Sequence, residues 1–88
     1  MKFVWKAAKN QKLKTGRNDS FEQVLEAIAE GNVDDIVENP NPKYSGQKVY
    51  ILKLNQYPHF IPFKDLDADT RELITIVPSR KLKKKRKE

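Results

Sequence analysis

The sequence predicts a small α+β domain, in which two N-terminal helices pack on an antiparallel sheet of three to four strands. Helix signals come first along the chain, and short apolar runs separated by proline, asparagine and aspartate follow them. With 88 residues, the chain is long enough for one modest hydrophobic core. We therefore expect a single domain over residues 1–81, followed by a basic tail over residues 82–88.

The N-terminal part of the chain predicts a short strand and then a basic helix. Residues 1–5 favour a strand, and residues 6–14 read KAAKNQKLK, which consists mostly of good helix formers. Gly16 and the RNDS sequence that follows it are expected to end this helix.

The second helix has the clearest signals in the sequence. Ser20 and Gln23 have the spacing of a capping box, in which each side chain bonds the backbone N–H of the other residue. Apolar residues then recur at helical spacing, at Phe21, Val24, Leu25 and Ile28. Gly31 supplies the stop signal.

The middle of the chain predicts two strands that differ in length. Residues 35–37 favour a short strand. Residues 48–55 place apolar side chains on both alternating faces, so we expect this strand to be covered on both sides. A tight turn is expected around Asn55 and Gln56.

Two more strands are predicted before the chain becomes strongly basic. Residues 57–63 contain Pro58 and Pro62, which cannot donate ladder hydrogen bonds, so this strand should be irregular or partly at an edge. Residues 65–70 are polar and predict a turn, and residues 71–77 form the last predicted strand.

Charged residues are unevenly distributed along the sequence. The chain holds 18 basic and 12 acidic residues, but seven of the basic and one of the acidic residues follow Ser79, so residues 1–78 are neutral. Residues 1–17 contain no acidic residue, whereas residues 18–45 contain seven and only one basic residue, Lys43. Two basic ends around an acidic middle predict a surface that faces a polyanion, provided that the ends meet in space.

Composition excludes several classes of protein and site. The chain has no cysteine and one histidine, His59, which excludes a disulfide framework and a zinc site of cysteines or clustered histidines. Its longest apolar stretches are about five residues, far short of the roughly 20 that span a membrane. The N-terminus also lacks the apolar segment of a signal peptide. We therefore expect a cytoplasmic protein.

Several short motifs together carry a resemblance to a known family. KNQKLKTGR, SFEQVLEAI, ENPNPKY, GQKVYIL, IPF and IVPSRK occur in this order between Trp5 and Lys81. In order and spacing they resemble the BrnT-like toxins of bacterial type II toxin–antitoxin systems, which are similar to the wider RelE/ParE superfamily. The resemblance implies a RelE-like fold, a metal-independent endoribonuclease that needs no cofactor, and a small antitoxin partner, often with a DNA-binding fold.

The resemblance also implies which positions form the site. The positions similar to the family's are Lys14, Arg17, Glu22, Ser79, Arg80 and Lys81. Two other positions depart from the family pattern. Ile74 stands where a lysine is frequent, and Asn39 stands where a histidine is common.

Metal-free RNA cleavage sets requirements that these residue types can meet. The 2′-hydroxyl attacks the adjacent phosphorus, so the site needs a proton acceptor, cations for the charged phosphorane and a proton for the leaving oxygen. Arg80 is the first candidate for the cation, because a guanidinium can grip two phosphate oxygens and stays charged. Ser79 is expected to cap a short C-terminal helix, whose amides would add an anion site.

Three further residues complete the predicted catalytic set. Lys14 and Arg17 are expected to contact RNA, although cations at the end of a helix also stabilise its dipole. Glu22 is a candidate base, or a partner that holds Arg17 or Arg80. Its alternative role is support of the helix N-terminus alone.

The remaining candidate residues are predicted to bind RNA without taking part in catalysis. Lys81 is expected to contact phosphate beside Ser79 and Arg80. The basic side chains of the tail are expected to add salt-sensitive affinity, the alternative being solubility alone; they are Lys83, Lys84, Lys85 and Arg86. Tyr50 and Tyr57 could stack on bases or pack within the sheet. His59 lies between Pro58 and Phe60 and has no evident partner in the sequence, which argues against catalysis.

The sequence leaves three functions open. The first is the endoribonuclease toxin, and the second is a non-catalytic RNA-binding module of the same fold, which the departures at Ile74 and Asn39 favour. The third is a protein-interaction domain that uses the acidic helix face and the tail.

Overall fold

Two helices lie on one face of a six-stranded mixed sheet in the computed structural model of the chain, which describes residues 1–79. The helices are α1, Ala7–Arg17, and α2, Phe21–Ala29. The strands are β1 Lys2–Val4, β2 Val33–Glu38, β3 Lys48–Leu54, β4 Tyr57–Asp67, β5 Thr70–Leu73 and β6 Val77–Pro78. The prediction of an α+β domain with two N-terminal helices is confirmed.

The sheet has more strands than predicted, and it is not purely antiparallel. Its strand order is β1-β5-β4-β3-β2, with β6 also paired to β4. β1 runs parallel to β5, and the other pairs are antiparallel. The count of three to four strands is wrong, because the short first strand β1 joins the sheet beside β5 and the predicted last strand divides into β5 and β6, which both pair with β4.

The two prolines of β4 explain why this division occurs. The Pro62 carbonyl accepts from the Ile74 amide at 2.9 Å, and the Pro58 carbonyl accepts from the Ser79 amide at 3.0 Å. The N–H and C=O of one strand residue point to the same side, so both missing N–H groups face this edge. β4 is therefore an interior strand, with regular pairing to β3 on one side and an interrupted ladder on the other.

The segment predicted as a polar turn is mostly strand. β4 continues to Asp67 and β5 begins at Thr70, so the turn itself is only two residues long. By contrast, the turn at Asn55 and Gln56 is confirmed. Both residues have positive φ, 53° and 65°, as in the tight hairpin turns that match the twist of a sheet.

The ends of the helices follow the predictions only for α2. α2 has the complete capping box between Ser20 and Gln23. α1 continues through Gly16 and ends at Arg17, followed by Asn18 in the left-handed conformation at φ 58°. Asparagine tolerates that conformation, so Asn18 supplies the stop that Gly16 was expected to provide.

The main core lies between the helices and the inner face of the sheet. Its fully buried members come from α2, the three central strands and the 74–76 segment; they are Phe21, Val24, Leu52, Ile61, Phe63, Leu73 and Ile76. Trp5 packs on Phe21 with ring centroids 5.6 Å apart. On the opposite face, called the helix-free face because neither α1 nor α2 lies on it, Val49 of β3 is only 3% exposed. Neither helix of residues 1–79 is long and apolar enough to cross a membrane.

Candidate nucleic-acid interface

The predicted cations of α1 lie on its last turn, close to the end of the described chain. Arg17 Nη1 donates a hydrogen bond to the Ile76 carbonyl oxygen at 3.0 Å. Lys14 precedes Arg17 by three residues, which places both cations on one helix face. The basic start of the chain thus contacts the segment that leads to Ser79.

Asn10 joins the two helices through hydrogen bonds. Its Oδ1 accepts from the Phe21 amide at 2.9 Å, and its Nδ2 donates to Oε1 and Oε2 of Glu22 at 3.0 and 3.2 Å. The side chain therefore satisfies one of the free amides at the N-terminus of α2. Sequence reasoning missed Asn10 because a polar residue inside a basic helix gives no sign of burial, which here leaves it only 6% exposed.

Glu22 is held by these neighbours as an ionised carboxylate. The Asn10 hydrogen bond is the largest cause of its lowered pKa, its own backbone N–H adds to the effect, and nearby Lys14 lowers the pKa further. Desolvation opposes these effects. Lys14 Nζ lies 3.8 Å from Glu22 Oε1. A lowered pKa makes Glu22 a weaker base, so its geometry favours the holding role, with Lys14 as the cation that it holds.

Ser79 is the last described residue, and it is fixed in place. It is 5% exposed, and its amide donates to the Pro58 carbonyl at 3.0 Å. The basic run therefore begins from a fixed point. The predicted C-terminal helix and the predicted site residues Arg80, Lys81, Lys83, Lys84, Lys85 and Arg86 lie outside the described residues.

Tyr50 has a packing role that excludes the predicted stacking on RNA bases. It is 3% exposed, and its ring stacks on Phe63 with centroids 4.4 Å apart. Its hydroxyl accepts a hydrogen bond from Arg71 Nη1. Since the ring faces are covered by protein, the prediction for Tyr50 is wrong, and the alternative of sheet packing holds.

His59 has a partner that the sequence did not reveal. Its Nε2 lies 4.0 Å from Oδ2 of Asp19, and its Nδ1 lies 2.7 Å from the Tyr57 carbonyl oxygen. Both members of the pair are buried, His59 to 6% and Asp19 to 7% exposure. Asp19 is 40 positions from His59 in the chain, so only the fold brings the two together.

The two positions that depart from the family pattern line one cavity on the helix-free face. Asn39 and Ile74 both border this cavity of ≈ 310 Å³, whose apolar walls include Phe60, Pro62 and Val77. Asn39 Nδ2 donates to Gln47 Oε1 at 3.3 Å. The cavity lies on the face of the sheet opposite to the helices.

Metal-ligating groups do not cluster in the part of the chain that the structure describes. Among residues 1–79, no group of three or more histidine, cysteine, aspartate or glutamate side chains is placed to hold a metal ion.

The site is therefore a corner formed by the last turn of α1 and the 76–79 segment, with the Asp19–His59 pair buried beneath it. Its described cations are Arg17 and Lys14, and Lys14 faces the Glu22 carboxylate. Such a corner can attract and orient a phosphate group. Comparison of the chain with protein-family models, curated proteins and solved structures finds no match.

Proposed function

We propose that the chain is the toxin of a bacterial type II toxin–antitoxin system, a metal-independent endoribonuclease that cuts RNA in the cytoplasm and so inhibits translation. We also propose that its α+β fold is related to that of RelE. The observation that carries the proposal is the contact between Arg17 and the Ile76 carbonyl. It brings Lys14 and Arg17 of α1 close to the segment that ends at Ser79, after which seven further basic residues follow in the sequence.

The proposed chemistry assigns charge stabilisation to the cations. Arg80 grips the scissile phosphate, and Arg17 and Lys14 extend the positive surface along the RNA backbone. Glu22 orients Lys14 rather than taking the proton of the 2′-hydroxyl, because its own pKa is lowered. The lysines of the tail add attraction that depends on salt.

A second candidate, an RNA-binding module without catalysis, is favoured by one observation. Glu22 and His59 are the two candidate proton acceptors near the corner. The carboxylate of Glu22 is held by Asn10 and Lys14, and both ring nitrogens of His59 face partners. A cationic surface with its proton acceptors engaged suits binding better than proton transfer.

The partner implied by the resemblance is a small antitoxin protein. Support for a protein partner comes from exposed apolar side chains beside the cavity of the helix-free face. Tyr44 is 48% exposed and Val77 is 41% exposed. Co-expression with the product of the adjacent gene, followed by purification through a tag on that product, tests this partner.

Cleavage of end-labelled RNA in the presence of EDTA tests the proposed activity. We expect wild-type protein to leave 2′,3′-cyclic phosphate ends, and we expect Arg80→Ala and Arg17→Ala to lower the rate strongly. Lys43→Ala is the matched control, because it removes one positive charge from the loop between β2 and β3. RNA binding without cut ends, also in the presence of ribosomes, would favour the second candidate.

A further inference from the structure

The Asp19–His59 pair joins two parts of the molecule that are distant in sequence. Asp19 lies in the short loop between α1 and α2, directly after the left-handed Asn18. His59 lies in β4, opposite Pro78 of β6, and Ser79 follows at once. The pair is thus located where the α1–α2 loop lies close to β6.

The ring of His59 has a defined orientation. A carbonyl oxygen only accepts hydrogen bonds, so the Nδ1 atom facing the Tyr57 carbonyl must carry a proton. Nε2 then faces the Asp19 carboxylate, and the contact is attractive when Nε2 is also protonated. Nδ1 therefore holds the ring to the backbone, and Nε2 faces the Asp19 carboxylate at 4.0 Å, a distance longer than a hydrogen bond.

Few other ionisable groups face the ring from the described elements around it. Tyr57 meets it edge-on, with ring centroids 5.7 Å apart. The neighbouring strands place Leu52 of β3 and Pro78 of β6 opposite His59, and neither side chain ionises. Asp19 is thus the charged group to which the ring is directed.

We propose that Asp19 and His59 are positioning residues, which hold the α1–α2 loop, and with it Arg17, against the segment that ends at Ser79. The proposal rests on the proposed function, because the groups that it positions are those expected to bind the phosphodiester of RNA. The Arg17 bond to the Ile76 carbonyl and the Ser79 bond to the Pro58 carbonyl flank the pair on either side. Loss of the pair would loosen both attachments at once.

Amide hydrogen exchange tests the positioning without any reference to RNA. In Asp19→Asn, we expect the Ser79 amide to exchange at least about tenfold faster than in the wild type, as for a local opening that leaves the rest of the fold intact. The Ile74 amide is the internal reference, because it donates to the Pro62 carbonyl on the same edge of β4. Its exchange should stay unchanged.

Two substitutions of His59 provide a matched pair. Glutamine can place its amide nitrogen close to the position of Nε2, whereas asparagine reaches only the position of Nδ1. We expect His59→Gln to retain slow exchange at Ser79, and His59→Asn to behave like Asp19→Asn. The same pattern should appear in RNA cleavage or binding, with losses of roughly 10- to 100-fold, as for a misplaced catalytic group.

A double-mutant cycle separates positioning from general stability. If the pair acts through Arg17, Asp19→Asn should cost little further activity in an Arg17→Ala background. Val24→Ala is the control for stability, since it weakens the core without touching the loop.

Five outcomes of these measurements decide between the claims. Selective acceleration at Ser79 together with loss of RNA activity supports the proposal. Equally faster amide exchange at Ser79 and Ile74 overturns it, and so does unchanged amide exchange at both. Selective acceleration with full RNA activity overturns the positioning role. If amide exchange in the variant is faster at Ser79 alone, but the wild-type protein neither binds nor cuts RNA, the proposed function is overturned. The attachment of the loop to the Ser79 segment then stands.

Discussion

At the scale of single residues, Asn10 does more for the site than any residue predicted from the sequence. Its amide satisfies an N-terminal N–H of α2 and fixes both oxygens of Glu22. Glu22 in turn lies within 3.8 Å of Lys14. The buried, neutral side chain of Asn10 thus holds the Glu22 carboxylate where it can orient Lys14.

The first prediction at this scale concerns the hydrogen bond to Phe21. Asn10→Ala leaves the buried Phe21 amide without this acceptor, which we expect to lower the free energy of unfolding by about 1–3 kcal/mol. Gln11→Ala is the control, because Gln11 is exposed on the same helix. Urea unfolding monitored by circular dichroism measures both, and equal stability of the two variants would contradict the role of Asn10.

The second prediction concerns the pH dependence that Glu22 confers. The pKa of Glu22 is lowered in the folded protein, so the folded state binds its proton less readily than the unfolded state does. The stabilisation is present above the unfolded pKa and is lost as pH falls through the folded pKa. Wild type should therefore be more stable than Glu22→Gln near neutral pH, with a difference that shrinks steadily in acid.

Unfolding midpoints in urea between neutral pH and pH 3 measure this difference. A difference that is independent of pH would show that the ionised form of Glu22 gains nothing from Asn10 and Lys14. Glu30→Gln is a suitable control, since Glu30 lies at the other end of the same helix.

At the scale of elements, local signals predicted the elements whose ends are set by local chemistry. The capping box of α2 and the tight turn at Asn55 and Gln56 need only neighbouring residues, and both were predicted. The division of the last strand depends on Pro58 and Pro62, which lie in another strand. The Asp19–His59 pair depends on the fold in the same way, so neither could be read from the local sequence.

The same distinction yields a prediction for the two helix-end glycines. Gly16 lies inside α1 with ordinary helical φ and open space around it, whereas Gly31 has φ +76°. We expect Gly16→Ala to stabilise the protein by roughly 0.5–1 kcal/mol, because alanine loses less backbone entropy in a helix. Gly31→Ala should destabilise it, because a side chain strains the left-handed conformation. Thermal unfolding of both variants measures the signs, and a stabilising Gly31→Ala would contradict the argument.

At the scale of the whole molecule, the fold brings the basic N-terminal part of the sequence to the segment that precedes the basic C-terminal run. Arg17 contacts Ile76, and Ser79, the last described residue, is fixed by its bond to the Pro58 carbonyl. The acidic residues of the middle lie mainly on α2 and β2, and of these only Asp19 and Glu22 belong to the corner, where they face His59 and Lys14. Charge separation of this kind favours binding to a polyanion in one orientation.

The last prediction measures how many phosphates the tail contacts. Replacing Lys83, Lys84 and Lys85 with glutamine should flatten the dependence of log affinity on log salt by up to about 2 for single-stranded RNA, since each phosphate contact contributes about 0.7. The matched control replaces Lys43, Lys48 and Lys53, which removes the same charge from the β2–β3 connection and from β3. If the tail binds RNA, only the first triple variant changes the slope of log affinity against log salt, because counterions are released only where a basic side chain contacts a phosphate. If both variants change affinity equally, the attraction depends on net charge alone, and the corner at Ser79 gives the tail no special position.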